Sequence, residues 1–153
     1  MYATLFLAVH LLAAKKAAAP PPRAPQTLVR RVKHRQLENV PVIIAFPLGG
    51  DLARQVQDVA RDPKRRLVMV VDGIVKKQPG IVYDVKLSRA TRSSGTLAFD
   101  HVAADGRFEA RFPIDDAADE VLSSGHRTLL VFFAPQGRHS GEVSFTELRL
   151  VEE

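Results

Sequence analysis

Apolar and polar residues begin to follow a regular pattern only from about residue 38. NVPVIIAFPL (residues 39–48) is β-branched and bounded by Pro47 and Gly49-Gly50, which predicts a strand, and Pro41 places it at a sheet edge. Asp51 then stands where an N-cap belongs, before LARQVQDVAR, whose Leu52, Val56 and Val59 share one helix stripe; DPKR ends that helix. RLVMVVDGI (66–74) and TLLVFFAP (128–135) are apolar on both parities, as strands covered on two faces are. IVYDVKLS (81–88) alternates instead. Ile81, Tyr83, Val85 and Leu87 face a core, while Asp84 lies with Val82 and Lys86 on the other side, within reach of Lys86 or a cross-strand arginine. GTLAFD (95–100) forms a short strand after an Arg-Ser-Ser-Gly loop. RFEARFPI (107–114) turns Phe108, Ala110, Phe112 and Ile114 inward and Arg107, Glu109 and Arg111 outward, after an Asp105-Gly106 turn. DDAADEVLSSG (115–125) predicts a short helix capped by Asp115 or Asp116 and closed by Gly125. In VSFTELRLV (143–151), Val143 and Phe145 share one parity and Leu148 and Leu150 the other, so a β-bulge is expected near Thr146-Glu147. About seven short strands and little helix predict an all-β fold, an antiparallel β-sandwich with two short helices.

The residues ahead of this pattern read differently. The apolar run 3–14 is too short for a membrane-spanning helix, which needs ~20 residues, so no transmembrane segment is expected. Its small-residue exit at Ala17-Ala18-Ala19 fits a signal-like segment over 3–19. The absence of a base before the run, and Lys15-Lys16 after it, do not fit, and localisation stays open. PPPRAP (20–25) reads as an extended linker and TLVRRVKHRQ as a solvated connector. The chain thus divides into a basic, proline-containing leader at 1–37 and a β-sandwich domain at 38–153.

Charge sharpens that division. Of the net charge of +5, the leader holds Lys15, Lys16, Arg23, Arg30, Arg31, Lys33 and Arg35 and no acid. The rest of the chain keeps fifteen bases against seventeen acids, a net of −2. A mildly acidic body argues against nucleic acid as its partner. The absence of cysteine excludes disulfides and thiolate chemistry.

No catalytic constellation is visible. None of His10, His34, His101, His126 and His139 forms an i, i+3 or i, i+4 pair; His126 and His139 merely flank one predicted strand. The cluster Asp115, Asp116, Asp119 and Glu120 suits the start of a helix. Gly49-Gly50 before a helix could hold an anion, but Asp51 would repel it. G-x-S-x-G, P-loop and G-x-G-x-x-G patterns are absent. Catalytic, cofactor-binding and metal-ligating residues are therefore all expected to be none.

One combination of motifs does point somewhere. An apolar strand ending in Asp72-Gly73-Ile74, a turn, and a strand carrying Tyr83-Asp84-Val85 resemble the C-terminal domain of polyphenol oxidases and bacterial tyrosinase-like proteins. Val82 stands where the plant sequences usually carry lysine. PVIIAFPLGGDLARQVQDV, GTLAFD, FPIDDAADEVL, TLLVFFAP and GEVSFTELRLV follow in the family's order, so the resemblance spans about residues 40–151. It implies a β-sandwich that packs over a dicopper oxidase domain, covers the entrance to its active site and keeps it latent. Copper in that family belongs to the oxidase domain, whose paired histidines this chain lacks. The expected role is a non-catalytic accessory domain with a tyrosinase-like dicopper catalytic domain as partner, separately encoded or part of a longer chain. Asp72, Gly73, Ile74, Tyr83, Asp84 and Val85 are then structural markers. The alternative is an exported β-sandwich adhesion or ligand-binding module.

Overall fold

The computed structural model describes residues 24–37, 39–76, 82–91, 95–97, 107–137 and 143–153. The signal-like segment 3–19, most of the proline linker, Ile81, His10, His101 and His139 lie outside the described residues. In chain order the elements are β1 (Gln26–Leu37), β2 (Val42–Pro47), α1 (Gly50–Arg61), β3 (Leu67–Lys76), β4 (Tyr83–Leu87), β5 (Gly95–Leu97), β6 (Arg107–Pro113), α2 (Asp115–Ser123), β7 (Thr128–Pro135) and β8 (Val143–Glu152). The strands pair antiparallel in two four-stranded sheets, ordered β1-β8-β3-β6 and β2-β7-β4-β5. The fold is thus a mainly-β, sandwich-like pair of sheets with two helices.

The hydrophobic pattern explains the strand order. β3 and β7, apolar on both parities, are interior strands of their sheets, and β2, preceded by Pro41, is an edge. Leu67, Met69, Val71 and Ile74 of β3 meet Val131 and Phe133 of β7 and Tyr83, Val85 and Leu87 of β4 in one core. Across it the rings of Phe133 and Phe145 lie 5.4 Å apart at 32°, joining the two sheets directly. Gly95 lets the sheets approach at the margin: a Cβ there would stand 2.6 Å from the Phe112 ring. The other parity of β3 is buried as well, since Val68 and Val70 pack with Val151 of β8 on the outer face.

Three local expectations change. The segment read as a connector is strand β1, which pairs along β8 from Gln26 opposite Glu152 to Leu37 opposite Val143 and buries Leu37 in the core. The sheet therefore begins twelve residues before the boundary expected at 38. Arg30, Arg31 and Arg35 obscured the strand because an edge strand with one neighbour tolerates charge, and charge on an edge discourages pairing with other chains. Asp51 does not cap α1. The N-cap is Gly49, and the exposed Asp51 instead pairs with Arg54 one turn on. Nor does Asp115 or Asp116 cap α2, whose N-cap is Ile114. Asp115 Oδ1 accepts the Leu67 N–H at 2.6 Å, tying the helix start to the start of β3. Gly125 closes α2 as expected, donating its N–H to the Leu122 carbonyl.

Both helices are crossovers between sheets, α1 from β2 to β3 and α2 from β6 to β7. Pro47 pairs with Thr128 and Val68 with Pro113, so both crossovers leave from the same end of the sandwich and the helices pack on each other there.

Candidate functional site

Asp72-Gly73-Ile74 marks the place where β3 and β8 change parity together. They stay in register through it, with Asp72 opposite Glu147 and Val75 opposite Ser144. Yet Val71 and Ile74 are both buried, as are Phe145 and Leu148, leaving Asp72-Gly73 and Thr146-Glu147 between them off the core. This is the irregularity expected near Thr146-Glu147, in a form shared by two strands. The slips in register fall on the outer neighbours, between Val71 and Ile74 against β6 and between Val32 and Arg35 against β8. Gly73 has φ +65 and a Cβ there would overlap the Thr146 hydroxyl, so the position requires glycine on two counts. Asp72 completes the turn: its Oδ1 accepts the Gly73 N–H at 2.6 Å and its carbonyl accepts the Thr146 hydroxyl at 3.3 Å.

Asp72 also joins a ladder of charges across the outer face of this sheet. Arg149 of β8 is its hub, donating to Asp72 (3.2 Å), Glu147 (3.2 Å) and Glu109 of β6 (2.7 Å). Arg30 of β1 reaches Glu147 at 3.2 Å, and Arg111 holds Glu109 at 2.6 Å and Glu153 beyond it. Every arginine of this ladder is paired with carboxylates.

Tyr83-Asp84-Val85 lies in the other sheet. Tyr83 and Val85 are fully buried, Asp84 is half-buried on the outer face beside exposed Lys86, and Asp84 stands opposite Ala134 of β7 and Thr96 of β5. The two motifs therefore do not converge on one site. Their apolar members Ile74, Tyr83 and Val85 share the core, while Asp72 and Asp84 belong to the outer faces of different sheets. The outer face around β2 and β7 is apolar, with Ile43 opposite Phe132 and Ala45 opposite Leu130. Ile43 is 50% exposed and the adjoining Val40 57%, the two large hydrophobic side chains most open to solvent among the described residues.

At the helical end, α1 and α2 are clamped by polar side chains. Asp119 accepts from Arg61 (2.6 Å), Ser123 (3.0 Å) and Gln57 (3.2 Å). Partial burial alone would raise the Asp119 pKa, but the bonds from Arg61, Ser123 and Gln57 outweigh it and hold the carboxyl below its usual range. Asp62 is lowered too, first by the Lys64 N–H and then by Arg65, as α1 ends. Glu120, the remaining member of the acidic cluster, accepts from the backbone and hydroxyl of Thr91. His126 faces Arg89, and no three His, Asp or Glu side chains gather as a metal site would need among the described residues. No helix of the described residues is long and apolar enough to cross a membrane.

With this architecture in place, a solved structure can be set beside it. The fold resembles part of latent apple tyrosinase. The match has a TM-score of 0.50 at 13% identity and covers 78% of this chain and 27% of that one. At that identity the likeness is one of fold. This chain spans little more than a quarter of the apple tyrosinase chain, 27% of its length. No protein-family profile and no curated sequence matches the chain.

Two features leave no mark in the sequence. The Arg149 ladder joins residues far apart in the chain and becomes visible only once the strand order β1-β8-β3-β6 is known. The Arg89–His126 contact joins a turn after β4 to the segment before β7, and neither stretch carries a recognisable motif.

Proposed function

We propose that this chain is a non-catalytic β-sandwich that shields or regulates a dicopper phenol oxidase, as a separate partner or as one part of a longer chain. The supporting observation is the fold likeness to latent apple tyrosinase over 78% of the chain, reached from motifs that resemble the tyrosinase C-terminal domain. The reading includes a docking surface, the apolar outer face of β2 and β7 around Ile43. The opposite outer face is occupied by its own ion pairs, whereas this one leaves apolar side chains open to water. Shielding needs contact and not chemistry, so no residue of this chain takes a catalytic role.

The test is to add the full chain to a tyrosinase-like dicopper catalytic domain and to follow phenol oxidation. Co-purification and a dose-dependent fall in turnover are expected. Unchanged turnover at large molar excess, with no co-purification, would count against action as a separate partner. The longer-chain form is tested by fusing the two and measuring whether proteolytic removal of this domain raises activity.

A further inference from the structure

We propose that the helical end of the sandwich carries a binding site for a small tetrahedral oxyanion such as inorganic phosphate or sulfate. A cavity of about 150 Å3 opens there, comparable with engineered cavities that accept a benzene ring. Its polar lining is Ser88, Arg89, His126, Arg127 and Thr128, over an apolar floor of Val121 and Leu130. Among the described residues neither Arg89 nor Arg127 has a carboxylate partner, whereas Arg30, Arg61, Arg65, Arg111 and Arg149 are all ion-paired. Arg89 donates instead to Nε2 of His126, so the residues lining the cavity include two arginines and a histidine and no carboxylate, the neighbouring Glu120 being engaged by Thr91. Uncompensated positive charge in a concave site attracts an anion.

The arrangement is held from several sides. Arg89 has φ +67 and is the one non-glycine residue with positive φ among the described residues, a conformation that side chains make costly. Its turn is fastened at both ends, by the Ser88 N–H on the Leu130 carbonyl at 2.7 Å and by the Thr91 N–H on Glu120 at 3.0 Å. The carbonyl of Arg127 is tied to the Leu48 N–H at 2.8 Å. Backbone held against its preference at a cationic cavity is what a pre-organised site shows. The lining residues Arg89, Arg127, Ser88 and Thr128 carry more donor groups than the two oxygens of a carboxylate can use, which favours an anion with three or four oxygens. The larger groove of about 410 Å3 near the end of α1 is a different environment, because Asp62, Asp115 and Asp116 line it alongside its arginines.

The site does not depend on the shielding reading, and its test is separate. The full chain is titrated with sodium phosphate, sodium sulfate and sodium acetate at constant ionic strength, read by calorimetry and by amide chemical shifts. Phosphate and sulfate are expected to bind saturably and to move the amides of 88–91 and 126–128, and acetate is not. Arg127→Gln and Arg89→Gly should each weaken phosphate binding at least tenfold. Arg89→Gly also relieves the positive φ, so its melting temperature should hold or rise, which separates lost charge from lost fold. Equal responses to all three salts, or tight phosphate binding that survives both substitutions, would overturn the proposal.

Discussion

Gly73 shows how much one residue can carry. It lies at φ +65 with the Thr146 side chain directly over its Cα, in the step where β3 and β8 change parity. Gly73→Ala should destabilise the chain by roughly 1–3 kcal/mol through backbone strain and overlap. Adding Thr146→Ala removes the overlapping hydroxyl and should recover part of that loss, a coupling measurable by urea unfolding of the two single variants and the double. The sequence flagged Asp72-Gly73-Ile74 only as a family marker, since positive φ at glycine is legible but the neighbour that crowds it is not. Tyr83-Asp84-Val85 was more transparent. Its alternation alone put Tyr83 and Val85 inside and Asp84 outside, as found. In the core, Phe145→Ala should cost about 3–5 kcal/mol, because it empties space shared with Phe133 of the opposite sheet.

Among elements, β1 marks the limit of pattern reading. Its bases follow no clean alternation, and it departs from register with β8 at two places, so its two-residue period is broken where a sequence window would look for it. A chain starting at residue 38 tests its place directly. It loses Leu37 from the core and leaves β8 with an open edge, and it should unfold at lower urea or aggregate, where a mere connector would leave stability unchanged. α1 was legible from its stripe and α2 from its acidic start and closing Gly125, but not the clamp between them, because Gln57 and Arg61 meet Asp119 across a long loop of sequence. The folded state holds the Asp119 pKa below its unfolded value, so the stabilisation is present above the ordinary carboxylate range and is lost as pH falls through the lowered folded pKa. Asp119→Asn should therefore lower the melting temperature slightly near neutral pH, within the ~0.2–1 kcal/mol of a surface pair, and the gap to the parent should vanish in acid.

At the scale of the molecule, the two outer faces differ in kind. One is crossed by paired charges centred on Arg149, and the other exposes Ile43. Seven of the eight strands among the described residues followed from alternation, apolar runs and turn signals, because burial on one or two faces imprints itself on the residues. What a face meets leaves no such imprint. Ile43→Asp tests the docking surface: an exposed position tolerates the change with little loss of stability, while co-purification with a catalytic domain should be abolished.

The antiparallel pairing of β1 with β8 sets Gln26 opposite Glu152, and the backbone of Arg66 then pairs with that of Glu153. β1 thus has no partner until β8 is made. β8 also lies between β1 and β3, so the sheet is missing its middle until β8 has been made. Formation of this sheet is consequently dominated by long-range closure, and slow for the size of the domain. Until then β1 and the β8-facing side of β3 carry unpaired edges, and aggregation in that interval is the hazard that the arginines of β1 discourage.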